Sequence, residues 1–111
     1  MSEFKLEILL PLYHNPDENG CRKKIDGDEF SETYKNLIEQ FGGCTIDPNP
    51  VSGGWINPDT GMEVTDELTV YWIVYENTED NIVFLTNFKE VLKERFKQDD
   101  IMMYSISITK F

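Results

Sequence analysis

Apolar side chains recur at every second position from Phe4 to Leu12. Phe4, Leu6, Ile8, Leu10 and Leu12 fall on one side and Lys5, Glu7, Leu9 and Pro11 on the other. A repeat of two is the signature of a half-buried strand. His14 to Lys24 (HNPDENGCRKK) is polar and carries Pro and Gly, so it predicts a surface loop. From Asp26 the repeat changes. Phe30, Tyr34, Leu37, Ile38 and Phe41 recur at helical spacing, the stripe of an amphipathic helix. Asp26 with Glu29 three residues on resembles a capping box, and Gly42-Gly43 sits where a helix needs a positive φ after its last turn.

Thr45 to Asp47 begins a second strand, which Pro48 and Pro50 confine to an edge or to irregular structure. Gly53-Gly54 ahead of Trp55 predicts a bend or bulge, and Asn57 to Gly61 (NPDTG) a turn that reverses the chain. Leu68 to Glu76 (LTVYWIVYE) is β-branched, aromatic and apolar at both parities, as a central strand is. After a Thr78-x-x-Asn81 start, Ile82, Leu85, Phe88, Leu92 and Phe96 trace a second helical stripe. A last alternating run follows from Ile101 to Phe111, with Met102, Tyr104, Ile106 and Ile108 on one face. The order strand, helix, strand, strand, helix, strand predicts an α+β chain of ferredoxin-like type, βαββαβ, with both helices on one face of a four-stranded antiparallel sheet.

Length and charge narrow this picture. The chain has 111 residues, which fits a single domain over residues 1–111 with a core that needs no metal or disulfide. Its 21 acidic residues against 10 basic ones give a net charge of -11, a field that repels phosphate backbones and anionic membranes and attracts basic proteins. Direct nucleic-acid or membrane binding is therefore not expected, whereas a basic protein partner is compatible. The simpler reading is that the acidity keeps the chain soluble. Glu3 and Glu7 interrupt the first apolar run, no basic leader precedes it and no run is long enough for a membrane span, so the expected location is cytoplasmic. Cys21 and Cys44 are expected as free thiols, with their oxidation state open.

The segments EQFGGCT, GGWINPDTG, TDELTVYWIVYEN and LKERFKQDDIMMYSISI resemble a family of small uncharacterised bacterial and archaeal proteins. That family shares a strand like ILLPLY, a helix ending FGG-x-T, a Trp in a short hairpin and a late RF-x-Q. That family is also similar to a second small group of proteins of unknown function, built on a G-x-W…G hairpin and an RF-x-Q helix end. The matching positions are Phe41, Gly42, Gly43, Thr45, Trp55, Asp66, Arg95, Phe96 and Gln98. The resemblance implies a ferredoxin-like fold and no established activity, substrate or cofactor. The loop from Asn15 to Lys24 and the prolines of Asp47 to Pro50 depart from the pattern.

Several chemistries can be weighed from the residues alone. A phosphate cradle needs glycines that lead into a helix N-terminus, and Gly42-Gly43 follows a helix instead. His14 is the one histidine and there is no C-x-x-C, so no metal site and no cofactor are expected. Asn15 to Asp26 echoes a calcium loop, but its first and twelfth positions are wrong and a strand precedes it. Asp59, Glu63, Asp66 and Glu67 cluster about the hairpin, where alternate carboxylates on one face can hold a hard cation or shift one another's pKa. A solvated acidic turn is the simpler account. Cys21, near His14 and three basic residues, has the ingredients of a reactive thiol, against the plainer reading of a spectator.

With Leu68, Val70, Trp72 and Val74 turned to the helices, Thr69, Tyr71, Ile73 and Tyr75 form an open sheet face, joined by Leu9, Ile101 and Met103. Such a face exceeds what monomers normally expose, so a homodimer packed sheet on sheet is expected. Two functional readings stand side by side. One is a non-enzymatic interaction module whose acidic surface engages a basic partner, an inhibitor or phosphate mimic included. The other is a small enzyme or ligand-binding protein with a pocket between sheet and helices, lined by Trp55, Tyr71 and Tyr75, with Asp66 or Glu67 as acid/base and Arg95 as anion anchor. The candidate ligand or interface residues are Trp55, Asp66, Glu67, Tyr71, Ile73, Tyr75, Arg95 and Gln98.

Overall fold

The computed structural model describes residues 2–111. Among them lie five strands and two helices: β1 (Glu3–Pro11), α1 (Gly27–Phe41), β2 (Thr45–Ile46), β3 (Val51–Ile56), β4 (Glu63–Glu76), α2 (Glu79–Phe96) and β5 (Met102–Ile108). The chain is α+β. Its antiparallel sheet runs β2, β4, β1, β5, and β3 pairs with the first half of β4 beyond β2. The second strand expected from the sequence is thus two segments broken over Asp47 to Pro50. Two prolines remove donors from any ladder there, and Asp47 Oδ1 takes the N–H of Asn49 in a local turn.

Helix ends follow the residues that mark them. Asp26 caps α1 by accepting the N–H of Asp28, and Gly42 closes it at φ 79° with its N–H on the carbonyl of Ile38. Thr78 caps α2 through the N–H of Asn81. At the far end of α2 the left-handed position is held by Lys97, at φ 54°. Gln98 donates to the Lys93 carbonyl at 2.9 Å, completing the turn that carries the chain into β5.

The core lies between sheet and helices. Leu6, Ile8 and Leu10 of β1 meet Tyr71, Ile73 and Tyr75 of β4 beneath Leu37 of α1 and Leu85, Phe88, Leu92 and Phe96 of α2. This corrects the sequence-based assignment of the faces of β4: Tyr71, Ile73 and Tyr75 are buried, and Leu68, Val70, Trp72 and Val74 lie on the open side. Ile101 is likewise buried and Met103 packs on the core, while Leu9 stays on the open face. The reason is register. The alternation of β1 fixes its own inward face, and Ile8 pairs with Tyr71 and Leu6 with Ile73, so the odd positions of β4 must follow them inward. The buried phenols keep polar partners there, Tyr75 with the Ser105 hydroxyl at 2.8 Å and Tyr71 with the Phe30 carbonyl at 3.5 Å.

Gly53 and Gly54 also depart from expectation. They sit in unbroken register opposite Asp66 and Thr65, with no bulge. The molecule is elongated, 50 × 27 × 26 Å. Its radius of gyration of 15.1 Å exceeds the roughly 13 Å of a compact chain this long. The excess reflects the hairpin of β3 and the first half of β4, which projects past the helices with Ile56 and Met62 exposed near its tip.

Candidate functional site

The sequence-predicted residues divide among three places. Tyr71, Ile73 and Tyr75 belong to the core, so they cannot form an exposed interface. Arg95 bridges the helices, donating to the Thr33 hydroxyl and to Asn36 Oδ1 at 2.9 Å each. Thr33 is fully buried and its hydroxyl donates to the Glu29 carbonyl within α1, so the bonds from Arg95 make a polar link between helices that the apolar stripe did not disclose. Glu67 points to the helix side of the sheet and is exposed. The expected pocket of Trp55, Tyr71 and Tyr75 between sheet and helices therefore does not exist, because Trp55 and the two tyrosines occupy opposite faces.

Trp55, Asp66 and Gln98 do come together. They border a cavity of about 290 Å³ at the end of the open sheet face, floored by Leu9, Pro11 and Leu68 and walled by Ile101 and Met102. The αL turn at Lys97 brings Gln98, Asp99 and Asp100 to its rim. One polar network sets its geometry. The Trp55 indole N–H donates to Asp66 Oδ2 at 2.8 Å, and Asp66 Oδ1 pairs with the Arg22 guanidinium. Arg22 reaches across from the loop between β1 and α1, where it also donates to the carbonyls of His14 and Thr65. Gly53 lies directly opposite Asp66 on the same face, where a Cβ would come 3.4 Å from Leu68 Cδ1.

The loop that carries Arg22 is closed by the pairing of Tyr13 with Lys24. Its calcium-like residues are otherwise engaged, since Asp17 Oδ1 accepts the N–H groups of Asn19 and Cys21. Among the described residues no group of three or more His, Cys, Asp or Glu side chains is placed to hold a metal ion. Cys21 and Cys44 are free thiols, Cys21 exposed and Cys44 half-buried. Burial pushes the Cys44 thiol up to about 11. At neutral pH it is a protonated spectator, whereas Cys21 shares a shallow surface depression with His14 and Lys23.

The open sheet face leads away from the cavity. Val70, Leu9 and Met102 form one cross-strand row, Trp72, Glu7 and Tyr104 the next, and Val74, Lys5 and Ile106 a third. Lys5 lies over the Trp72 ring, its ammonium 4.6 Å from the centroid. The Tyr104 phenol is held above its usual pKa, first by its hydrogen bond to Glu7. Met102, Tyr104 and Ile106 are exposed, and no helix covers them. No helix of the described residues is long and apolar enough to cross a membrane. No family model matches this chain, and no curated protein matches it.

Proposed function

We propose that the chain is a non-enzymatic interaction module of ferredoxin-like type, with β2 and β3 as one interrupted second strand, and that it pairs with a second copy through its open sheet face. The observation that carries this reading is the apolar band of Val70, Leu9, Met102, Trp72, Tyr104 and Ile106, which no element among the described residues covers. A second copy is the occupant whose charges fit. The central strand β1 presents Glu3, Lys5 and Glu7 in alternating sign, so two copies related by a twofold axis can set each Lys5 against a glutamate. The expected dimer has moved from one face of β4 to the other.

Light scattering coupled to size exclusion tests it. The parent chain is expected as a dimer and Lys5→Glu as a monomer. The double exchange Lys5→Glu/Glu7→Lys is expected to restore the dimer, because it preserves the complementarity. A monomeric parent chain across micromolar concentrations, or a dimer indifferent to Lys5→Glu, rejects the reading. The outward acidic residues of the helices, Asp28, Glu32, Glu39, Glu90 and Glu94 among them, remain available to a basic protein. Salt separates the two associations, since screening strengthens pairing between acidic copies and weakens binding to a basic partner.

A further inference from the structure

We propose that the cavity beneath Trp55 binds a small organic cation, a primary amine or guanidinium on an apolar body. Its volume of about 290 Å³ lies at the low end for ligand pockets, enough for a single ring or a branched chain with its head group. Leu9, Leu68 and Met102 supply the apolar surface.

The ionisable side chains on its wall are all carboxylates: Asp66, Asp99 and Asp100. Two of them are already matched, Asp66 by Arg22 and Asp100 by Lys89 at 3.0 Å. Asp99 has no ion pair among the described residues. Gln98 donates its amide to the Phe96 carbonyl at 3.1 Å, which leaves the other end of that amide an acceptor. Trp55 is fixed by its N–H on Asp66, so its edge is engaged and its π surface is the part left to a ligand. A carboxylate without a cation, an acceptor and an aromatic face together suit an ammonium or guanidinium head and repel an anion. Leu9 and Met102 also belong to the end row of the open face, so the site adjoins the surface proposed for self-association, and the titration is made on Lys5→Glu, expected as a monomer, as well as on the parent chain; Trp72, near the middle of that face, reports on self-association separately.

The two tryptophans make the test. Phenethylamine is titrated into ¹⁵N-labelled protein and followed by the indole and backbone N–H signals, with 3-phenylpropanoate as the control of matched shape and opposite charge. Saturable shifts of Trp55, Leu68 and Met102 are expected for the amine with a Kd on the order of 1 mM, with Trp72 unmoved and no response to the carboxylate. Asp99→Asn, an exposed change that leaves the fold intact, is expected to weaken the amine about fivefold. Equal response to both probes, shifts at Trp72 that match those at Trp55, an affinity unchanged in Asp99→Asn, or no saturation each overturn the proposal.

Discussion

Removing the Asp66 carboxylate asks how firmly the projecting hairpin is held. Asp66→Ala deletes two bonds at once, the ion pair with Arg22 and the acceptor of the Trp55 indole. The two side chains of the pair are 19% and 15% exposed, between the surface and buried regimes. Breaking a buried pair costs about 3–5 kcal/mol and an exposed pair contributes about 0–1 kcal/mol. Arg22 keeps its bonds to the carbonyls of His14 and Thr65, so the stranded cation is not without partners. The expected loss is therefore about 2 kcal/mol, roughly an 8 °C fall in Tm for a chain of this size. Urea unfolding followed by tryptophan fluorescence measures it. A cycle with Arg22→Met isolates the pair, with an expected coupling of about 1 kcal/mol. Amides of β3 should exchange faster in the variant, since a two-stranded ribbon alone is marginal in water. A loss below about 0.5 kcal/mol, the size of an ordinary surface change, would refute the view that this network anchors the hairpin.

Lys97 holds a left-handed backbone at the end of α2, so Lys97→Gly should stabilise the chain by about 0.5–1 kcal/mol, read as a rise in the urea midpoint; a lower midpoint would show that the lysine side chain outweighs the strain. Burial raises the Cys44 thiol to about 11 and the Tyr71 phenol to about 12, from ordinary values of 9.0 and 10.0. Both groups fold as the neutral form, so their contribution is complete below the unfolded pKa values and is lost as pH rises through the folded ones. Tm should hold to about pH 9 and fall towards pH 12, and iodoacetamide at pH 8 should label exposed Cys21 well before Cys44. Equal labelling rates would contradict the burial of Cys44.

Much of the architecture was legible because periodicity and caps act locally. The alternation of β1, the Asp26 and Thr78 caps and the Gly42 stop each depend on residues within one turn or one strand. The face of β4 was not legible from β4 itself, because LTVYWIVYE is apolar at both parities. Only its pairing with β1, across some 60 residues of chain, decides between them. The same limit hid the site. Trp55, Asp66 and Gln98 stood out one by one, but Arg22 lies in a loop with no periodic signal, and its reach to Asp66 is a tertiary fact. Thr33 was missed because a buried hydroxyl interrupts an apolar stripe without breaking it. Arg95, read as an anion anchor, proved to be the partner that satisfies it.

The edge of β5 gives the acidity of the chain a second meaning. Among the described residues β5 pairs only with β1, and the sequence MMYSISI carries no charge, no proline and no bulge along its outer side. Such an edge is a template on which any extended chain can add itself by main-chain hydrogen bonds. With few local guards, the guard is global: copies carrying -11 each meet a long-range repulsion before their edges come within reach. Colloidal stability is thereby tied to ionisation. Acidification into the carboxylate range, or heavy screening by salt, lowers the barrier, and fibre-like association would then begin at this strand.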